Sequence, residues 1–377
     1  PGAEIRVMKS ISRMYKVGAP LPKGWDAKRF GIPENIVKQV DPITTYALCA
    51  VSEAFLSAGI MDPYEIYKYI HFKDLGNVIG TGLGGANSLY KAFHLRVMDE
   101  PIQSDILQEL LLNVMSAWIN MLILGACGPI KTPVQACASA AVSIEMGCDL
   151  INQKKAKIVL VGGSEDFTRM GATEFANMGA TNPSEEDFAC GRRANEMSRP
   201  TTDTRSGFVE GTGAGIMILA TAELALNMGL PIYGIVAHTY TACDKINRSV
   251  PAPGRGILSS IAESPKQDNL LLDPKYRMFM RNEWVNKGIP ENLANKYWSK
   301  DCFLETDTIS AIRGGVASWN VKEVSVISFH GTSTNGNDKN ESLVTNTVLD
   351  HLGNDKPRPV VCQKHLTGHS KGAAAAF

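Results

Sequence analysis

"VQACASAAVSIEMGCDLINQKKAKIVLVGG", residues 134–163, decides the class of fold. Ala136, Ala138, Ser139, Ala140 and Ala141 surround Cys137 with small side chains. A helical pattern starts there and leads into "KIVLVGG" (157–163), a β-branched run that closes in glycines. A helix feeding directly into a buried strand is the repeating unit of α/β proteins. The alternation continues along the chain. "GAGIMILAT" (213–221) reads as a buried strand with a helix after it in "AELALNMG", and "YGIVAHTYTAC" (233–243) as a further strand. "VSVISF" (324–329) and "RPVVCQ" (358–363) are two more, each running at once into a polar loop that holds a histidine. The pattern predicts an α/β protein with largely covered sheets. Residues 245–300, with "RSVPAPGRG" and the charged helical stretch "DPKYRMFMRNEWVNKG", read as a surface excursion or the junction between two halves.

Composition narrows the function classes. The chain has 377 residues, enough for one large domain or two ordinary ones. Hydrophobic residues make up 44% and charged residues 20%, as in soluble globular proteins. Lys plus Arg and Asp plus Glu are 38 each, so no global field recruits nucleic acid or anionic membrane. The eight cysteines form no CxxC pair and no Cys/His cluster of zinc spacing. A reduced, intracellular setting is expected. The longest apolar stretch, "MSAWINMLILGACG" (115–128), contains Asn120 and is too short to span a bilayer. The start at "PGAEIRV" without Met and the abrupt end at "GHSKGAAAAF" suggest a segment of something longer.

Three places carry candidate chemistry. Small neighbours around Cys137 admit close approach by substrate, and a thiol at a helix N-terminus feels the positive end of the helix dipole, which favours thiolate. A buried, inert cysteine is the competing reading. Cys148 falls on the expected core face of the same helix and reads as structural. In "SFHGTSTNGNDKNE" (328–341), His330 follows a strand end, where open α/β sheets bind ligands, and Thr332, Ser333 and Thr334 supply hydroxyls. In "QKHLTGHSKGAAAAF" (363–377), a strand runs into Lys364, His365, Gly368 and His369. One cysteine and two strand-end histidines are the parts that covalent thioester chemistry needs. "GTGLGG" (80–85) lacks the GxGxxG spacing of a dinucleotide loop, and "RSGFVEGTGAG" (205–215) reads as a tight turn into a strand.

Taken together, "VQACAS", "HGTSTNGNDKNE" and "KHLTGHSKGAAAA", in that order, resemble the β-ketoacyl synthases of the thiolase superfamily. "GWDAKRFGI", "QVDPITTYALCAVSEAF", "DPYEIYKYIH", "MSAWINMLILGACGPIKTPV" and "EMSRPTT" are similar to the ketoacyl synthase domain of fungal type I fatty acid synthase α subunits, so the resemblance spans nearly the whole chain. It implies a thiolase-like fold: two similar halves in a five-layered αβαβα arrangement, with the second half truncated at the C-terminus. Residues 1–255 would form the half with the nucleophile and 256–377 the incomplete half with both histidines.

The resemblance also implies a reaction and its residues. Cys137, as a low-pKa thiol, would take an acyl group from the phosphopantetheine of an acyl carrier protein. A carbanion from malonyl carrier would then attack the thioester. His330 and His369 would donate hydrogen bonds to the enolate oxygen. Lys364 would hold His369 and its loop, with Glu341 as its partner and Asp338 in support. Thr332 and Thr334 would bind the pantetheine amides. The Cys137 N–H would form half of an oxyanion hole, its partner coming from a glycine-rich turn that the family carries further on. No cofactor or metal is expected for condensation. The expected partners are an acyl carrier domain, a fatty acid synthase β subunit and a second copy in a homodimer, all in the cytoplasm. Gln135 stands where the fungal pattern usually has Gly, Leu83 where it often has Met, and Ala375 and Phe377 for Gly and Trp. Gln135 and Leu83 are therefore acyl-pocket candidates, and a synthase making short starters for polyketides is an alternative. A thiolase would need a second cysteine in a Cys-x-Gly setting, which Cys362 in "VVCQK" does not provide. A non-catalytic chain-length partner would lack the nucleophile.

Overall fold

The computed structural model describes residues 17–242, 274–298, 324–351 and 356–377. Its centre is a four-stranded sheet, in spatial order β2 (Ile130–Lys131), β1 (Leu75–Gly80), β3 (Ile158–Glu165) and β4 (Gly213–Ala220). β1 runs parallel to β2 and β3, with Leu75 opposite Ile158 and Gly80 opposite Gly163. β4 returns antiparallel to β3, with Ile158 opposite Ala220 and Glu165 opposite Gly213. Every residue of β1 and β3 is buried, which is why both read as near-continuous apolar runs.

Period-two alternation sorts these side chains between two cores. Leu75, Ile79, Ile158 and Leu160 point to one face and pack with Ile43, Ala47, Leu48, Val51 and Phe55 of the Pro42–Ser57 helix. Asp41 caps that helix by accepting from the Ile43 N–H, and Pro42 occupies its first turn, where no N–H is needed. Met115 and Ile119 of the Val114–Ile119 helix close the same core. Val78, Val159 and Val161 point to the other face, against Leu150, Ile144 and Ile151 of the Ser139–Asn152 helix. Gly147 lets this helix lie on the sheet, since a Cβ there would meet Val161 Cγ1 at 2.4 Å.

The second half is more lightly built among the described residues. β5 (Ile327–Ser328) and β6 (Val360–Val361) form a two-stranded parallel sheet, each strand two residues long where six were expected. The ladder is extended by Phe329 N–H donating to Val361 O at 3.0 Å. The helix Asn335–His351 follows β5. The charged stretch after residue 273 forms the helix Pro274–Asn286, whose Trp284 packs with Ala294 and Trp298 in a small separate cluster. "RSVPAPGRG" lies outside the described residues. Of the expected strand at 233–243, residues 233–242 pair with no strand among the described residues, and Tyr233 and Ile235 are exposed. A β-run becomes a strand only through a partner, and β4 pairs on one side alone among the described residues. No described helix is long and apolar enough to cross a membrane.

Candidate active site

Cys137 sits in a 3-10 turn, Ala136–Ala138, that leads into the Ser139–Asn152 helix. Ala136 is held at φ +48°, a left-handed conformation that costs an L-residue about 1 kcal/mol or more. Ser139 fixes this turn. Its buried hydroxyl accepts from Gln135 N–H at 2.9 Å and lies 2.8 Å from the Ala136 carbonyl and 3.0 Å from that of Thr81. Gly80 beneath it permits the approach, as a Cβ there would stand 2.7 Å from Ser139 O. Cys148 is half-buried beside, not on, the core face that Ala140, Ser143, Gly147 and Leu150 make.

The histidines reach the thiol from sequence positions about two hundred residues away. His369 Nε2 lies 3.0 Å from Cys137 Sγ. The His369 backbone bridges to Glu210: His369 N–H donates to Val209 O at 2.7 Å, and Gly211 N–H donates to His369 O at 2.9 Å. The Phe208 ring stands edge-on to the His369 imidazole at 5.1 Å. The His330 ring lies 5.1 Å from that of His369, nearly perpendicular to it. Ligand-type atoms of Cys137, His330 and His369 all fall within 4.8 Å of one another, the one such group of three among the described residues. The Lys364 ammonium beside them disfavours a cation there, and the set reads as a proton-handling site.

Lys364 is where the expectation changes. Its Nζ donates to the His330 carbonyl at 2.6 Å and lies 3.3 Å from His330 Nδ1, so it holds His330 and not His369. Its carbonyl accepts from the Ser198 hydroxyl. Nor is Glu341 its hydrogen-bonded partner. The Glu341 carboxylate accepts from the backbone N–H groups of His330 and Gly331 and from the Asn337 side chain. A carboxylate that accepts consecutive N–H groups is a better anchor for a strand-end loop than a point contact with an ammonium. Asp338 does the same one turn earlier, accepting from the N–H groups of Thr201, Thr332 and Ser333 at 2.9, 2.9 and 3.1 Å.

The remaining candidates scatter. Thr332 is buried, its hydroxyl 2.9 Å from that of Thr334, which is partly exposed. Leu83 is one-third exposed on a loop whose N–H groups, from Gly82 and Leu83, donate to Glu165 at 2.6 and 3.2 Å. Gln135, the residue before the nucleophile turn, is exposed.

Electrostatics act on the thiol in both directions. Burial pushes Cys137 up to about 11, against the pull of Lys364 and Lys371, so the cysteine is a thiol at neutral pH. A single short turn of aligned N–H groups does not offset lost hydration. Burial takes His330 down to about 3, helped by Lys364, and takes His369 well below its ordinary value. Both rings are neutral. Lys364 is lowered, mainly by burial. An ammonium can only donate, so His330 Nδ1 accepts from it and the ring proton sits on Nε2, towards the site. His369 Nδ1 has no hydrogen-bond partner among the described residues, and a Cys137 thiol donating to Nε2 leaves the ring proton on Nδ1.

Sequence reasoning passed over four buried residues here: Ser139, Glu165, Glu210 and Lys371. Their signal is a polar or charged residue embedded in small or apolar runs, as in "VGGSE", "FVEGTGAG" and "HSKGAA".

Comparison with known proteins is consistent with this geometry. Residues 9–225 match the β-ketoacyl synthase N-terminal domain family, and residues 309–377 the β-ketoacyl synthase C-terminal domain family. Fatty acid synthase subunit alpha of Candida albicans is 45% identical over the whole chain, and that of Saccharomyces cerevisiae 44%. Fatty acid synthase alpha subunit pigJ of Monascus ruber is also 45% identical over the whole chain. The chain spans only 22–23% of the length of these relatives. The fold is shared with the noncanonical ketosynthase FabY from P. aeruginosa, at 22% identity and a TM-score of 0.72 over 95% of this chain and 49% of that one. The ishigamide ketosynthase/chain length factor aligns with a TM-score of 0.68 at 22% identity over 99% of this chain and 75% of that one. The two family matches together cover both motif-bearing regions, and the chain belongs to the β-ketoacyl synthase family, with its thiolase-like fold.

Proposed function

We propose that this chain performs decarboxylative Claisen condensation in fatty acid elongation, as a 3-oxoacyl-[acyl-carrier-protein] synthase within a larger fatty acid synthase. The observation that carries this reading is the 3.0 Å contact between Cys137 Sγ and His369 Nε2, with neutral His330 beside it.

The steps follow from protonation states. His369 accepts the Cys137 proton as the sulfur attacks an acyl thioester on carrier phosphopantetheine, and returns it to the departing pantetheine sulfur. Malonyl carrier then enters and loses carbon dioxide. The enolate oxygen receives a hydrogen bond from His330 Nε2–H, aimed by Lys364 behind it. Cys137 is by then a thioester, so His369 Nε2 is free of the thiol. That nitrogen then faces the incoming malonyl group, and it donates as well only when the ring carries its proton on Nε2. The enolate carbon attacks the carbonyl carbon of the Cys137 thioester, the C–S bond to Cys137 breaks, the β-ketoacyl product remains on the carrier's sulfur, and the released Cys137 thiolate takes a proton from solvent to return to the thiol. Condensation itself requires no metal or nicotinamide.

Residues 1–255 form the half with the nucleophile and residues 256–377 the half with the histidines. Thr334 is the accessible hydroxyl for pantetheine, with Thr332 behind it. Leu83 and Gln135 bias acyl length. The partners are an acyl carrier domain, a β subunit, as the relatives' name "subunit alpha" supports, and a second copy in a homodimer in the cytoplasm. Apolar Ile130 on edge strand β2, with Met121 and Leu122 exposed in the preceding turn, supports the homodimer.

Acyl capture tests the reading. The full-length protein is incubated with short- and long-chain acyl carrier protein, and the tryptic peptide from Thr132 to Lys154 is fragmented by mass spectrometry. Acyl on Cys137 and none on Cys148 is expected. Folded protein with competent carrier and no acyl on Cys137 would overturn it.

A further inference from the structure

Lys371 is the least expected charge in the molecule. It stands among small residues, is 2% exposed and holds φ +46°. Its Nζ donates to Glu210 Oε1 at 2.6 Å and to the Asp166 carbonyl at 2.8 Å. Glu210 is equally buried, and its Oε2 has no hydrogen-bond partner among the described residues. Lys371 is the one ion-pair partner seen for Glu210 among the described residues.

The chain path gives the pair its meaning. Glu210 is the residue bridged to His369, whose backbone bonds run to Val209 and Gly211 on either side of it. Lys371 lies two residues beyond His369. The ion pair therefore closes a small ring: from His369 through Ser370 to Lys371, across to Glu210, and back through the backbone bridge. Gly372 N–H, the next along, donates to Glu165 at 3.2 Å, and Glu165 also holds the Gly82–Leu83 loop. The His369 ring gains no anchor of its own at Nδ1. Its aim at Cys137 depends on how its backbone is held.

We propose that Lys371 and Glu210 are positioning residues for His369, a buried staple that keeps Nε2 within reach of the Cys137 thiol. The proposal rests on the condensing reading only for the use made of that contact. A buried pair of this kind is weak evidence for stability, since apolar or neutral replacements of both partners are often tolerated. A directional role gives a reason to keep it: a misplacement of about 1 Å at a reacting group costs up to about a hundredfold.

The test reads Cys137 directly and needs no carrier protein. Iodoacetamide alkylation of Cys137 at about neutral pH is followed by mass spectrometry in the full-length protein, with exposed Cys127 and Cys190 as internal standards. Three variants are compared: Lys371→Met, Glu210→Gln, and the double variant, in which no buried charge is left unpaired. Lys371→Met should lower the Cys137 rate about tenfold, through a misplaced base together with loss of the charge that pulls the thiol down, and reduce thermal stability; a slower rate in Glu210→Gln, which keeps that charge, isolates the positioning. Glu210→Gln, which keeps an acceptor for Lys371, should lower the rate less. The double variant should regain thermal stability and keep the slow rate. Recovery of rate together with stability in the double variant would make the pair merely structural and overturn the proposal. So would wild-type rates in folded Glu210→Gln and Lys371→Met proteins. A slow Cys137 in the variants, alongside a wild type that takes no acyl group from carrier, would leave the staple standing and sink the condensing reading alone.

Discussion

The two regions that meet at the site are built by different physics. The Cys137 region rests on long elements: two fully buried strands, β1 and β3, with helices on both faces and alternate side chains feeding two cores. The His330 region rests on two-residue strands, and carboxylates do the holding. Asp338 and Glu341 between them accept five backbone N–H groups from Thr201, His330, Gly331, Thr332 and Ser333. Hydrophobic packing fixes the nucleophile, and buried acids fix the groups that act on it. The first region should therefore fail through volume and the second through charge.

The largest effect tests what the first region holds. Cys137→Ala should abolish acyl capture, by at least about 10⁴-fold, with the fold intact, as single-turnover assays with acyl carrier would show. Next comes the second region's contribution to the chemistry. His330→Ala removes one preorganised donor and should slow carbon dioxide release from malonyl carrier by about 10²–10³-fold, while acyl transfer to Cys137 suffers less. The scaffolds can then be broken separately. Asp338→Ala leaves two buried N–H groups and a partly buried one without their acceptor and should cost about 3 kcal/mol, read as a fall in the denaturant midpoint. Gly80→Ala places a methyl against Ser139 O and should cost about 1–3 kcal/mol by overpacking, displacing the Cys137 turn as it does so. Equal sensitivity of both regions to volume changes would erase the distinction.

The same contrast explains what the sequence disclosed. β3 is legible because a strand buried on both faces must be apolar throughout, β4, only half-buried, because its run is apolar too, and Cys137 because a helix pattern starts at it. His330 is legible as a strand-end residue and His369 from its motif alone, since the short helix Lys364–Thr367 separates it from β6. What stayed hidden is pairing across long sequence distances. Nothing local says that Lys364 serves His330, that Glu341 accepts backbone N–H groups, or that Lys371 reaches Glu210. The segment at 233–242 has the composition of a strand, but composition does not supply a neighbour. The ionisation of the thiol is not legible for a related reason. A helix start is visible in sequence, whereas the burial that outweighs its dipole appears only once the second region has closed over Cys137.

The pH dependence of Cys137 alkylation tests most directly the claim that the site works from a neutral thiol and neutral imidazoles. Thiolate is the reacting form, so the rate follows ionisation upward with pH. With the thiol pushed up to about 11 by burial, the rate of Cys137 modification should still be rising above about pH 9. A rate that levels off by about pH 7 would mean a preformed thiolate–imidazolium pair and would contradict the account.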